Sequence, residues 1–197
     1  MFVNSLLIIF AYLIGSVSGA VIVCRIMWLP DPRTQGSGNP GATNVLRYGG
    51  KKAALITLGF DIFKGVIAVL VAKWFTQEPI VLASVTIAVF LGHSYPIFFQ
   101  FRGGKGVATA FGAFLILIWQ VSLAALITWF SMAVLFRYSS LAAILTAILT
   151  PVYIFWFTEI LEYIIMGFII SVLLIWRHRT NIHNLLIGKE NKIGNKA

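Results

Sequence analysis

The run from Val107 to Phe136, VATAFGAFLILIWQVSLAALITWFSMAVLF, decides the fold. It carries no charge, and as one straight helix at ~1.5 Å per residue it would measure about 45 Å, well beyond a hydrocarbon layer of ~30 Å. The run must tilt strongly or fold back. A break near Trp119-Gln120 turns it into two short spans, and that break sets the parity of the whole chain.

Further apolar runs lie on either side, at Val3 to Val23, Ala53 to Ala72, Ile80 to Phe99, Leu141 to Phe157 and Ile160 to Trp176. The 197 residues are 59% hydrophobic and 11% charged, with mean hydropathy +0.93. Those values exclude an ordinary soluble domain and predict an all-α, polytopic membrane helix bundle. The opening run is long for a signal-peptide core and has no preceding Lys or Arg, so it reads as a retained span. No linker or internal repeat divides the chain, so residues 1–197 read as a single membrane domain. The same absence of repeats weighs against inverted-repeat transporter architecture.

Charge arbitrates the topology, because Lys and Arg in short loops favour the cytoplasm. With the break there are seven spans and an outside N-terminus. The cytoplasmic set is then Arg25, Arg33, Arg47, Lys51, Lys52, Arg102, Lys105, Arg137, Arg177, Arg179, Lys189, Lys192 and Lys196, 13 of the 15 basic residues. Lys64 falls inside a span, and Lys73 lies outside with Glu78, Glu159 and Glu162. Six spans would put the basic tail outside. Seven, with a cytoplasmic C-terminus, is the expectation. The residues from Lys189 to Ala197 read as a polar, loosely held end.

Fifteen basic against six acidic residues and a pI near 10 raise the question of nucleic acid, but no soluble basic face remains to carry it. The excess reads as topology and anion binding instead. A single cysteine, Cys24, excludes an intramolecular disulfide and a cysteine metal cluster. Three histidines with few carboxylates nearby make no metal set, so neither metal nor cofactor is expected.

Two glycine-rich polar stretches interrupt the apolar background. In Gly36-Ser37-Gly38-Asn39-Pro40-Gly41-Ala42-Thr43-Asn44, the glycines permit sharp turns and Ser37, Thr43 and Asn44 offer hydrogen bonds. Arg47 follows with a guanidinium fork suited to phosphate oxygens. The alternative is a turn-rich surface loop with Arg47 snorkelling to headgroups. The second stretch, Phe101-Arg102-Gly103-Gly104-Lys105-Gly106, leads into an apolar helix whose first amides favour an anion. It is not a nucleotide loop: Phe99 stands where the first glycine belongs, and Gly106 replaces the magnesium-holding Ser or Thr. Lys105 as a plain interfacial anchor stays open.

His93 precedes Pro96 at the edge of a span. His178 and Asn181, in Arg177-His178-Arg179-Thr180-Asn181, share a helix face at a spacing of three. Neither His93 nor His178 has an Asp five residues on, so the soluble-acyltransferase dyad is absent. Asp61 and Lys64 can pair within one span, as helix-joining structure or as support for the polar site. All three polar motifs reach the same membrane face.

Together these motifs resemble the bacterial acyl-phosphate:glycerol-3-phosphate acyltransferases, the PlsY family, over the whole chain. The residues that carry the resemblance are Ser37 to Asn44, then Gly92-His93 with Gly103 to Thr109, and last Arg177-His178 with Asn181-Ile182 and Gly188-Lys189-Glu190; Asp61 to Gly65 matches more weakly. His183-Asn184 departs from a tail motif that often carries a basic residue nearby. The resemblance implies a seven-span inner-membrane enzyme, its site facing the cytoplasm, with acyl phosphate and glycerol 3-phosphate as substrates and lysophosphatidic acid and phosphate as products. Both substrates carry phosphate and one carries an aliphatic chain, which suits a polar pocket above an apolar bundle in membrane lipid. The expected substrate-binding set is Gly41, Ala42, Thr43, Asn44, Arg47, Gly103, Gly104, Lys105 and Asn181. Ser37, His93 and His178 are the expected catalytic residues. Two other classes fit a basic pocket: a transporter of a phosphorylated metabolite, which needs polar groups continuing to the opposite face, and a lipid-binding scaffold without turnover.

Overall fold

The computed structural model describes residues 2–194, and no strand occurs among them. Nine helices follow in order: α1 Phe2–Gly15, α2 Gly19–Ile26, α3 Ala42–Phe75, α4 Pro79–Ser94, α5 Val107–Leu117, α6 Trp119–Phe136, α7 Ser139–Phe157, α8 Leu161–Arg177 and α9 Arg179–Leu186, with a 3-10 turn at Ile97–Phe99 before α5. Large apolar side chains such as Phe63, Phe155, Trp156 and Phe168 point outward. Such a surface is suited to lipid and not to water.

The long run folds back where its length requires. α5 ends at Leu117, Ile118 leaves helical geometry, and α6 starts at Trp119. Ser122 Oγ ties the two halves by donating to the Phe111 carbonyl at 3.0 Å. The first run, expected as one span, is also broken. α1 and α2 part at Ser16–Ser18 with a 42° bend. Ser16 Oγ turns back onto the Tyr12 carbonyl at 2.8 Å, and Ser18 Oγ caps α2 by accepting from the Val21 N–H at 3.4 Å; small hydroxyl residues interrupt the helix without lowering its hydropathy. Four helical stretches are long and apolar enough to cross a bilayer, and the bent pairs α1–α2 and α8–α9 raise the number to six. α5, at 11 residues, is shorter than an ordinary span.

α4 is the central helix, packed against α1, α3, α5 and α8. Two crossings are backbone against backbone. A Cβ on Gly92 would lie 2.2 Å from the Tyr12 carbonyl oxygen of α1, and one on Gly112 would lie 2.1 Å from the Ile62 carbonyl oxygen of α3. Without a hydrophobic force between helices in lipid, such small-residue seams supply close van der Waals packing.

The polar tail is docked, contrary to its expected looseness. Ile193 N–H donates to the Arg137 carbonyl at 2.6 Å, and Glu190 accepts from Ser140 Oγ at 2.6 Å. Lys196, counted with the cytoplasmic set, and the last residues of the tail lie outside the described residues.

Candidate active site

Three helix N-termini converge on one cavity of about 270 Å³: Gly41, Ala42 and Thr43 at α3, Gly106, Val107 and Ala108 at α5, and Ser139 and Ser140 at α7. None of the three has a side-chain cap bond. First-turn amides have no intrahelical acceptor, so each helix presents donors and the positive end of its dipole to the cavity. Thr43 Oγ1 and Ser139 Oγ, 3.3 Å apart, join two of these ends. Gly106 takes φ of +87°, and a Cβ there would strike the Phe90 ring at 2.2 Å.

Asn44 staples the first glycine loop. Its Nδ2 donates to the carbonyls of Pro32 and Gln35, both at 2.9 Å, and its Oδ1 accepts from the Ser37 N–H at 3.0 Å. Its backbone N–H is bonded to the Gly41 carbonyl at 3.0 Å. Asn44 therefore shapes the loop beside the cavity, with its side-chain and backbone donors engaged within the protein. The second loop is braced by Arg177, whose Nη2 and Nε donate to the Gly103 and Gly104 carbonyls at 2.7 and 3.2 Å while the guanidinium lies 5.0 Å from the Tyr95 ring centre.

The cavity walls hold opposed charges. Arg47 lines the cavity and makes no hydrogen bond or ion pair among the described residues. Lys105 donates to Asn181 Oδ1, and Asn181 Nδ2 donates to Glu190 Oε1 at 2.7 Å. Burial lowers the Lys105 ammonium to about 8; Glu190 opposes that shift, while Arg47 and Arg177 reinforce it. His178 Nδ1 lies 2.8 Å from the Leu174 carbonyl oxygen. A carbonyl only accepts, so the neutral ring carries its proton on Nδ1 and keeps Nε2 as an acceptor.

An adjoining basin of about 440 Å³ shares Ser37, Arg47, Lys105, Asn181 and Glu190 with the cavity and adds Gly103, Arg177, Arg179 and Lys189. In the other direction the cavity turns apolar, lined by Leu58 and Ile62 of α3, Phe111 of α5 and Leu126 and Trp129 of α6. Leu58 and Leu126 are 38% and 47% exposed, so the apolar end of the cavity is bounded by side chains that are not enclosed by the bundle.

Of the expected site residues, Ser37, Gly41, Ala42, Thr43, Asn44, Arg47, His93, Lys105, His178 and Asn181 line the cavity, and Gly103 lines the basin. Gly104 lines neither; it packs on His93, where a Cβ would lie 2.1 Å from Nε2. No His–carboxylate pair is visible at close spacing in the chain, but the fold brings one together: Asp61 Oδ1 of α3 lies 3.5 Å from His93 Nδ1 of α4, with Lys64 Nζ between them at 2.8 Å from each. Ser139, Ser140 and Glu190 were likewise not apparent as site residues from the sequence. The serine pair opening an apolar run is a helix-start signal, and Glu190 stands inside the quoted tail motif.

Fold and pocket define an α-helical integral membrane protein whose cationic site is continuous with an aliphatic channel. Residues 5–188 match the family model for glycerol-3-phosphate acyltransferase, and the chain belongs to that family. It is 53% identical over 194 residues to the glycerol-3-phosphate acyltransferase of Methylococcus capsulatus, covering 98% of each chain, and 54% identical over 197 residues to that of Thioalkalivibrio sulfidiphilus, covering 100% of this chain and 97% of the relative. Crystal structures of PlsY (YgiH), an integral membrane glycerol 3-phosphate acyltransferase, superpose with TM-scores of 0.92 for the glycerol 3-phosphate form and 0.90 for the lysophosphatidic acid form. Their identities are 40% and 38%; each covers 97% of this chain, and this chain covers 96% and 95% of theirs.

Proposed function

We propose that the chain transfers a fatty acyl group from acyl phosphate to the 1-hydroxyl of glycerol 3-phosphate, giving lysophosphatidic acid and inorganic phosphate, the first acylation of phospholipid synthesis. The observation that carries this reading is the continuity of one cavity from three uncapped helix N-termini, Arg47 and Lys105 to the apolar Leu58–Leu126 end. An acyl phosphate has that polarity: a dianionic head on an aliphatic tail. The adjoining basic basin suits glycerol 3-phosphate.

In the proposed reaction the hydroxyl oxygen attacks the acyl carbon, the bond from that carbon to the phosphate oxygen breaks, and phosphate departs with the electron pair. The hydroxyl proton passes to His178 Nε2 or to the departing phosphate. Arg47, Lys105 and the amides of α3, α5 and α7 stabilise the developing charge. Ser37 and His93 orient the reacting groups; Thr43, Gly103 and Asn181 hold phosphate, and Gly104 seats the turn. Phosphate is already a competent leaving group, so no covalent enzyme intermediate is required. Cys24 is buried against the Tyr48 hydroxyl at 3.3 Å and lines neither cavity.

In this reading α5 is counted as a seventh crossing, and the site faces the cytoplasm of the inner membrane. A C-terminal tag reachable from outside intact cells would overturn that topology. The function is tested by single turnover of purified protein with labelled acyl phosphate and glycerol 3-phosphate, without thioester or other protein. Lysophosphatidic acid and phosphate in equal amounts are expected. Product formed only when an acyl thioester is supplied would overturn the donor, and binding without product would move the reading to a carrier or scaffold.

A further inference from the structure

Three ionisable side chains from two spans meet at the cavity wall, where Asp61 and His93 are lining residues and Lys64 lies beneath them. Asp61 and Lys64 are 2% exposed and His93 is 7% exposed. Lys64 Nζ lies 2.8 Å from Asp61 Oδ1 and 2.8 Å from His93 Nδ1, and donates to the Val17 carbonyl at 3.0 Å. That carbonyl sits in the break between α1 and α2. The ammonium thus hydrogen-bonds the His93 ring and the Val17 carbonyl and is ion-paired with Asp61. Facing an ammonium, His93 Nδ1 accepts, so the ring proton resides on Nε2. That is the edge which meets the Gly103–Gly104 turn. The turn packs closely on that edge, where a Cβ on Gly104 would lie 2.1 Å from Nε2, and is tied separately to the His93 backbone, whose carbonyl accepts from the Gly104 N–H at 3.1 Å. Arg177 holds it from the other side.

We propose that Asp61 and Lys64 are a positioning pair which, through the His93 ring, sets the height of the Gly103–Gly104 turn and with it the direction of Lys105 and of the α5 amides. A pair that merely joined spans would be replaceable by apolar side chains of similar size without consequence for the turn. This pair is instead bonded to the residue on which the turn rests.

The test is Lys64→Met in lipid nanodiscs, with the protein labelled by 15N-glycine. The Gly103 and Gly104 amide resonances move. Turnover falls ~30- to 100-fold while KM for glycerol 3-phosphate stays within about threefold, because a misplacement of about 1 Å costs ~100-fold at a reacting centre. In a His93→Ala background the same substitution changes kcat by less than about twofold, since both act through one contact. Unmoved glycine resonances, wild-type kcat, or two effects that multiply independently would each overturn the proposal. If Lys64→Met does not fold, Asp61→Leu with Lys64→Met leaves no buried charge unpaired and takes its place in the same cycle. Gly104→Ala, which pushes the turn off the ring from the opposite side, lowers kcat by a similar factor, and unchanged turnover in it overturns the seat. The inference rests on the proposed acyl transfer for its kinetics alone. Wild-type protein that forms no lysophosphatidic acid from acyl phosphate defeats that reading, while the glycine resonances still decide this one.

Discussion

Leu174 sets the tautomer of His178: its carbonyl oxygen, 2.8 Å from Nδ1, accepts a hydrogen bond from the ring N–H and leaves Nε2 as the free acceptor. If that nitrogen is the proton acceptor of the proposed transfer, it contributes typically ~100- to 10,000-fold. His178→Ala is expected to lower kcat by at least ~100-fold on that scale. Turnover and a pH profile both unchanged in the variant would remove the ring from the chemistry and leave the donor's phosphate as the proton acceptor.

Lys105 is expected to set the alkaline limit of the proposed reaction. With its ammonium lowered to about 8 by burial, the side chain is charged below that pH and neutral above it, so kcat/KM for glycerol 3-phosphate falls as pH rises through about 8. Lys105→Arg keeps its charge throughout this range. It is expected to be less active at pH 7 yet to lose the alkaline limb, and rate profiles of the two proteins between pH 6 and 10 check this.

Glu190 moves that limb. Its carboxylate raises the Lys105 ammonium against the larger effect of burial, and its Oε1 accepts from Ser140 and Asn181. Glu190→Gln keeps an acceptor and removes the charge, so the alkaline limb shifts to lower pH. A limb unmoved in the same titration would show that Glu190 acts on the tail alone.

Arg47→Lys preserves charge and loses the fork. Bidentate contact to a phosphate is stronger than a single charge-assisted bond by an amount on the order of 1–2 kcal/mol, so kcat/KM is expected to fall by about tenfold or more. Initial rates with each substrate varied in turn give the loss for donor and acceptor separately.

Gly112→Ala places a methyl 2.1 Å from the Ile62 carbonyl oxygen. Neither backbone has a rotamer to yield, so α3 and α5 must separate. A cost of about 1–3 kcal/mol is expected, at the scale of core overpacking. Thermal unfolding in nanodiscs reads it as a lowered Tm.

The helices themselves were legible, because apolar runs of membrane length have little else to become. The fold-back at Ile118 was legible from length and charge together, since length left a strong tilt open and the parity of the basic loops chose a break near Trp119-Gln120. The bend at Ser16–Ser18 was not: two serines and a valine barely interrupt a hydrophobic run, and the break depends on Ser16 and Ser18 bonding to their own backbone. In the site, glycine, Arg and Lys announced themselves by being costly in lipid. Asn44 was legible as a polar loop residue but not as a staple, because its partners Pro32, Gln35 and Ser37 are set only by the folded loop. The Asp61–Lys64–His93 cluster needed the α3–α4 packing, since its members come from helices far apart in sequence. Glu190 was hidden by sign, as a carboxylate in a cavity rich in cations makes sense only once Ser140 and Asn181 are seen to hold it.

The apolar end of the cavity, bounded by Leu58 and Leu126, changes the units in which this protein meets its lipid ligands. A molecule entering there comes from two dimensions, so what the protein senses is its mole fraction in the bilayer, not its bulk molarity. Diluting the membrane with inert lipid should then slow the reaction at constant total donor, whereas diluting the whole suspension should leave the rate per protein nearly unchanged at saturating glycerol 3-phosphate.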